Sequence, residues 1–211
     1  MRGAFVMAGA DGNPHAVHIE SADVVRIPGG PVKPVPVEDR QFDVAPARDL
    51  FVPFEVTVTE LEPGWYRVAS SVRVDGGRVW TFEGRPFTIP WPRNDVRRGV
   101  LVVGKRVAAG GSQYEVERAE LGPDAAVVVW RAVGKGAGGE RDPDQGVATL
   151  IADGAELAGI PHVPGAKAFE PRQPGERRSV SYPVPRAVRT LQVVIRPASG
   201  QPSDPVSVPL S

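Results

Sequence analysis

The apolar residues of this chain recur with a period of two, and that property alone directs it toward pleated strands. In Phe54-Glu55-Val56-Thr57-Val58-Thr59, Phe54, Val56 and Val58 share one face, while Glu55, Thr57 and Thr59 take the other. This is the pattern of a half-buried strand. After the turn Leu61-Glu62-Pro63-Gly64-Trp65-Tyr66, the residues Tyr66, Val68, Val72 and Val74 alternate with Arg67, Ala69, Ser71 and Arg73. Asp75-Gly76-Gly77 then supplies the residues a tight hairpin needs. A return strand begins at Val79, and Phe87, Ile89 and Trp91 continue the alternation between prolines that place them at a sheet edge.

Upstream, Val17, Ile19, Val24, Val25 and Ile27 suffice for one or two opening strands. Six prolines between 28 and 53 bar any long ladder or helix there, leaving extended edge segments. Residues 91–99 are polar and broken by Pro and Gly, and are expected to mark a domain boundary. Beyond them strands are expected over 100–107 and 114–121, joined by Gly110-Gly111. Another follows at 125–133, whose Val127-Val128-Val129-Trp130 suits a central strand buried on both faces. A second hairpin is read at Asp153-Gly154, and further strands at 179–184, 191–196 and 206–210. No apolar stripe of period 3.6 persists over three turns with caps; 166–169 and 186–189 offer single turns at best.

The fold class expected is therefore all-β, with two sandwiches of about 100 residues suiting the 211-residue length better than one. The domains are read as 1–95 and 96–211. The 23 prolines and 24 glycines fall between the apolar runs and act as punctuation in a folded chain. Formal net charge is zero, which gives no field to draw in nucleic acid or anionic lipid. The absence of cysteine removes disulfides, thiolate nucleophiles and Cys-based metal sites. No apolar run approaches the roughly 20 residues of a membrane-spanning helix.

The stretch 54–76, with its Leu-x-Pro-Gly-x-Tyr turn between two strands, resembles the end of an immunoglobulin or fibronectin type III-like domain. The resemblance implies a tyrosine corner in which the hydroxyl of Tyr66 bonds to upstream backbone. The second half more loosely resembles the immunoglobulin-like ectodomains of bacterial lipoproteins and membrane-anchored regulators. The likeness rests on Thr149-Leu150-Ile151-Ala152-Asp153-Gly154, Phe169-Glu170-Pro171 and the strand at 191–196, in that order. It implies an envelope or secreted location if the true N-terminus lies upstream, and a cytoplasmic one otherwise. Near the start, Ala8-Gly9-Ala10 has the small residues of a signal-peptidase site, but the stretch before it is shorter than the usual ~15–30 residues.

No constellation compels an enzyme or a cofactor. His15 and His18 are spaced to fall on opposite faces of a strand, and His162 is remote from both in sequence, so no metal site is expected. Glu140-Arg141-Asp142-Pro143-Asp144-Gln145-Gly146 has the spacing of part of a calcium loop but lacks its distal glutamate. Asp142 and Asp144 are also the acids an enzyme on this scaffold would use. Arg97-Arg98 and Arg177-Arg178 are pairs without interleaved aromatics, read as linker and strand end and not as a nucleic-acid surface. Of the four tryptophans, Trp130 is assigned to the core. Trp65, out of phase with Tyr66, is expected to face outward, and Trp91 to pack near the boundary. Trp65 and Trp91 are thus the candidate partner surface. The functional expectation is a non-catalytic binding or scaffold protein, tandem immunoglobulin-like domains engaging a protein partner. The alternative is a carbohydrate-binding module.

Overall fold

The computed structural model describes residues 1–8, 13–46, 48–133, 146–162 and 166–210. Within these the regular structure is all strand, and the chain divides into two compact units, Met1–Ile89 and Pro90–Ser211. No helix among the described residues is long and apolar enough to cross a membrane.

The first unit contains β1 (Arg2–Ala8), β2 (His15–Ile27), β3 (Pro31–Pro34), β4 (Gln41–Val44), β5 (Asp49–Glu55), β6 (Gly64–Val74), β7 (Val79–Glu83) and β8 (Phe87–Ile89). A six-stranded antiparallel sheet runs β3-β2-β6-β7, with β4 also on β2 and β8 also on β6. β1 and β5 form a separate two-stranded antiparallel sheet. Val17, Ile19, Val24, Tyr66, Val68 and Val72 from the large sheet meet Val52 of β5 in one core, with Phe5, Met7 and Phe54 packed against it.

β2 is a single strand whose apolar parity changes midway. Val17 and Ile19 point inward before Glu20, and Ala22 and Val24 after it. The register against β6 slips between Ile19 and Ser21, so Glu20 is the extra residue of a β-bulge. Its carboxylate accepts from Arg73 Nε at 2.6 Å. The strand expected over 54–59 is shorter than its pattern. The strand closes at Glu55, and Val56 still exchanges N–H and carbonyl bonds with Met1 as the next rung after Arg2–Glu55.

The second unit contains β9 (Gly99–Ala109), β10 (Ser112–Leu121), β11 (Ala126–Val133), β12 (Val147–Ala152), β13 (Ala155–Glu156), β14 (Arg177–Ser181), β15 (Leu191–Arg196) and β16 (Val206–Val208). Two four-stranded antiparallel sheets, β14-β11-β10-β9 and β13-β12-β15-β16, face one another, an arrangement consistent with a β-sandwich. Their shared core joins Tyr114, Val116, Val128 and Trp130 of one sheet to Leu150, Leu191, Val193 and Ile195 of the other. A bulge at Glu117 again switches parity, from Tyr114 and Val116 to Ala119 and Leu121. Ser179 Oγ ties the two sheets together, accepting Trp130 Nε1 at 3.0 Å and the amide of Ala148 at 2.8 Å.

The segment 91–99 is bonded along the second unit. The Trp91 amide donates to Pro123, Val96 bridges Pro185, and the Arg97 amide donates to Val184.

Candidate binding cleft

The face of a β6 residue fixes the face of its cross-strand partner on β7. Ser70 and Val72 point into the first unit's core, and their partners are Phe82 and Trp80. Both aromatics therefore lie on the inner face, yet Phe82 is 56% exposed and Trp80 51%. The cause is the width of the covering layer. The β1–β5 sheet is two strands across and overlies a sheet of six, and among the described residues no strand covers the margin at β7, where the Arg78 guanidinium lies over the Trp80 ring at 5.0 Å.

What remains is a cleft of about 640 Å³ between β1 and the β6–β7 surface. Every residue from Arg2 to Met7 lines it, inward and outward positions alike, whereas β5 contributes Phe54. The cleft thus runs along the edge of β1 that β5 does not occupy, where among the described residues no strand pairs with its backbone. Val68, Val72 and Val74 form an apolar floor, Ser70 is a buried hydroxyl within it, and Phe82 and Phe87 form the far side.

Arg2, His15, Glu83 and Arg85 are the charged or titratable side chains in the lining. Arg2 pairs with Glu55 at 3.2 Å, and Arg67 with Glu83 at 2.5 Å. His15 Nδ1 lies 2.7 Å from Asp75 Oδ2, while Asp75 Oδ1 accepts the Ala16 amide at 2.8 Å. An apolar trough of this volume beside an open strand edge suits an extended, partly apolar occupant. Among the described residues, no three His, Asp or Glu side chains gather as metal ligands.

The sequence-derived residues fall elsewhere. Trp65 lies on the face opposite Tyr66, as alternation requires, but it is 5% exposed and not outward in solvent. It is in register with Ile27 on one side and Thr88 on the other, and Ile27 is buried with it. Both faces of the sheet are covered at this end, which alternation cannot reveal. Trp91 is half-buried and meets Tyr182 edge-on at 5.2 Å. Tyr66 is buried, stacks on Phe87 at 5.8 Å and donates its hydroxyl to the Glu62 carbonyl at 2.7 Å. The acids Asp142 and Asp144 lie outside the described residues. The sequence reading counted Trp80 among the four tryptophans but gave neither it nor Phe82 a surface, although their i, i+2 spacing within a strand was the available signal.

The strongest electrostatic feature is in the second unit and is structural. Arg178, almost wholly buried, donates to Glu120 at 2.6 Å, to Glu176 at 2.7 Å and to the Ala168 carbonyl at 2.8 Å. Arg118 adds a bond to Glu120 at 2.9 Å. Burial pushes both carboxyl groups up, but the hydrogen bonds and charges of the arginines outweigh it and hold them below the ordinary carboxylate range. The network pins residues 168–178 to the outer face of β10.

Compared with family models, with curated proteins and with solved structures, the chain finds no match in any of the three. The class of protein is accordingly that of its geometry: all-β, with facing antiparallel sheets in each of two units.

Proposed function

We propose that this chain is a non-catalytic binding protein of two immunoglobulin-like units, acting at a bacterial envelope, whose first unit takes an extended segment of a protein partner into the cleft along β1. The observation that carries the reading is Phe82, an inner-face aromatic left exposed on the side of the cleft that faces β1, with Trp80 exposed two residues earlier on the same strand. A strand added to β1 would extend the small sheet over them. It would satisfy the edge amides and place alternate side chains on the valine floor. Tyr66, fixed on Glu62 at the turn before β6, supports an immunoglobulin-like arrangement for this unit.

The test is selection of extended peptides from a display library against the full chain. Enriched sequences should alternate apolar and polar residues and lose at least about tenfold in affinity against Phe82→Glu, since burying an unpaired charge opposes docking. Enrichment without alternation, or binding indifferent to Phe82→Glu, would contradict the cleft. Turnover of a hydrolase panel, abolished by one substitution, would contradict the non-catalytic reading.

A further inference from the structure

The arginine pair at 97–98 reads in sequence as part of a linker, but folding gives it company. Val96 bridges Pro185, the Arg97 amide donates to the Val184 carbonyl at 2.8 Å, and the Arg186 amide donates to the Asp95 carbonyl at 2.8 Å. This short ladder brings Arg186 beside the arginines of 93–98. Together Arg93, Arg97, Arg98 and Arg186 line a cavity of about 260 Å³, backed by apolar side chains that include Val96 and Leu121.

Two observations set this cluster apart. Among the described residues no carboxylate stands within ion-pairing distance of any of the four, whereas Arg118, Arg131, Arg178 and Arg196 of the same unit each have a glutamate. Like charges gathered without a counter-ion repel, and such a cavity attracts anions. The second observation is Arg97 itself. One end of its guanidinium is anchored, Nη2 donating to the Val188 carbonyl at 2.6 Å, while its Nε is shielded from solvent and has no hydrogen-bond partner among the described residues. A buried donor left unmatched beside an anion-attracting cavity calls for an acceptor that the described residues do not supply.

We infer that this cavity binds a phosphate group. Guanidinium forks match phosphate oxygens with paired, charge-assisted bonds, and four of them exceed what a single carboxylate neutralises. The volume lies below the roughly 300–1,000 Å³ of sites that enclose a whole small molecule, so the site holds a phosphate head and leaves the remainder of the ligand outside. The site belongs to the second unit and does not depend on the strand cleft of the first.

The experiment is calorimetric titration of the full chain with pyrophosphate and with inorganic phosphate at constant ionic strength, with acetate as control. Sedimentation with phosphatidylglycerol or phosphatidylcholine vesicles is run alongside. Saturable pyrophosphate binding is expected, weakened at least about tenfold by Arg98→Gln and by Arg186→Gln, the loss expected when charge-assisted bonds are removed. Arg131→Gln, whose parent pairs with Glu115, should leave it unchanged. Arg97→Gln should abolish it. Because that variant also loses the Val188 bond, Arg98 and Arg186, both solvent-exposed, decide the matter independently of folding. Binding of phosphatidylglycerol vesicles that pyrophosphate displaces would place the phosphate on a lipid; binding of the free anions alone would place it on a soluble ligand. No saturable binding, equal binding of acetate, or insensitivity to both Arg98→Gln and Arg186→Gln would overturn the site.

Discussion

Trp80 stands directly across from Val72 on the same face of one sheet, yet Trp80 is 51% exposed and Val72 3%. One strand separates a finished core from an unfinished one. Among the described residues, the layer formed by β1 and β5 stops short of β7, and the proposed interaction surface at that margin rests on this difference.

The first expectation concerns that margin. Phe82→Glu should leave folding stability within about 0.5 kcal/mol of the parent, because the ring is more than half in water already. Denaturant midpoints compared between the two proteins measure this. A loss comparable to that of a core phenylalanine would mean that the chain itself covers the ring.

Tyr66→Phe removes the hydroxyl that donates to Glu62 while keeping the ring against Phe87. A loss of about 0.5–1.5 kcal/mol is expected from equilibrium unfolding of the first unit.

Ser179→Ala should be costlier. The Ser179 oxygen accepts from both Trp130 and the Ala148 amide, so its removal strands two donors between the sheets. At roughly 1–3 kcal/mol per buried unsatisfied group, a loss of several kcal/mol is expected in the second unit. The fluorescence of Trp130, the indole in that core, reports it.

Acid should unfold the second unit through its arginine–glutamate network. Glu120 and Glu176 titrate lower when folded than when unfolded. Their contribution is therefore complete above the ordinary carboxylate range and lost as pH falls through their depressed folded values. Glu176→Gln should flatten this acid limb. Arg178→Met, which leaves both buried carboxylates without their main partner, should cost about 3–5 kcal/mol at neutral pH. Urea midpoints measured from neutral to acid pH test both.

Turn chemistry was the most legible part of the sequence. Asp75-Gly76, Gly110-Gly111 and Asp153-Gly154 all adopt positive φ at both positions, a conformation few other residue pairs tolerate, so composition alone marks these hairpins. Strand faces were legible up to the bulges. At Glu20 and Glu117 the inward parity switches, and nothing in a glutamate announces an extra residue, so β2 read as one strand or two. Exposure was the illegible quantity. Alternation put Trp65 opposite Tyr66 correctly but could not show that this face is buried as well. It likewise gave Trp80 and Phe82 a common face without showing that the lid stops short of them. The meeting of Arg97 with Arg186 depends on a bridge between residues 96 and 185, and no local pattern encodes a pairing that distant.

The most direct measurement is acrylamide quenching of tryptophan fluorescence, taken as the difference between the parent and Trp80→Phe, without and with a selected strand peptide. Trp65 and Trp130 are buried and Trp91 is half-buried, so Trp80 should be the most quenchable of the four, and the difference against Trp80→Phe isolates it. The expected result is a readily quenched, red-emitting Trp80 that becomes shielded and shifts to the blue as the peptide saturates. A Trp80 already shielded in the free protein, or one indifferent to a bound peptide, would contradict an uncovered β7 margin over which the peptide extends the small sheet.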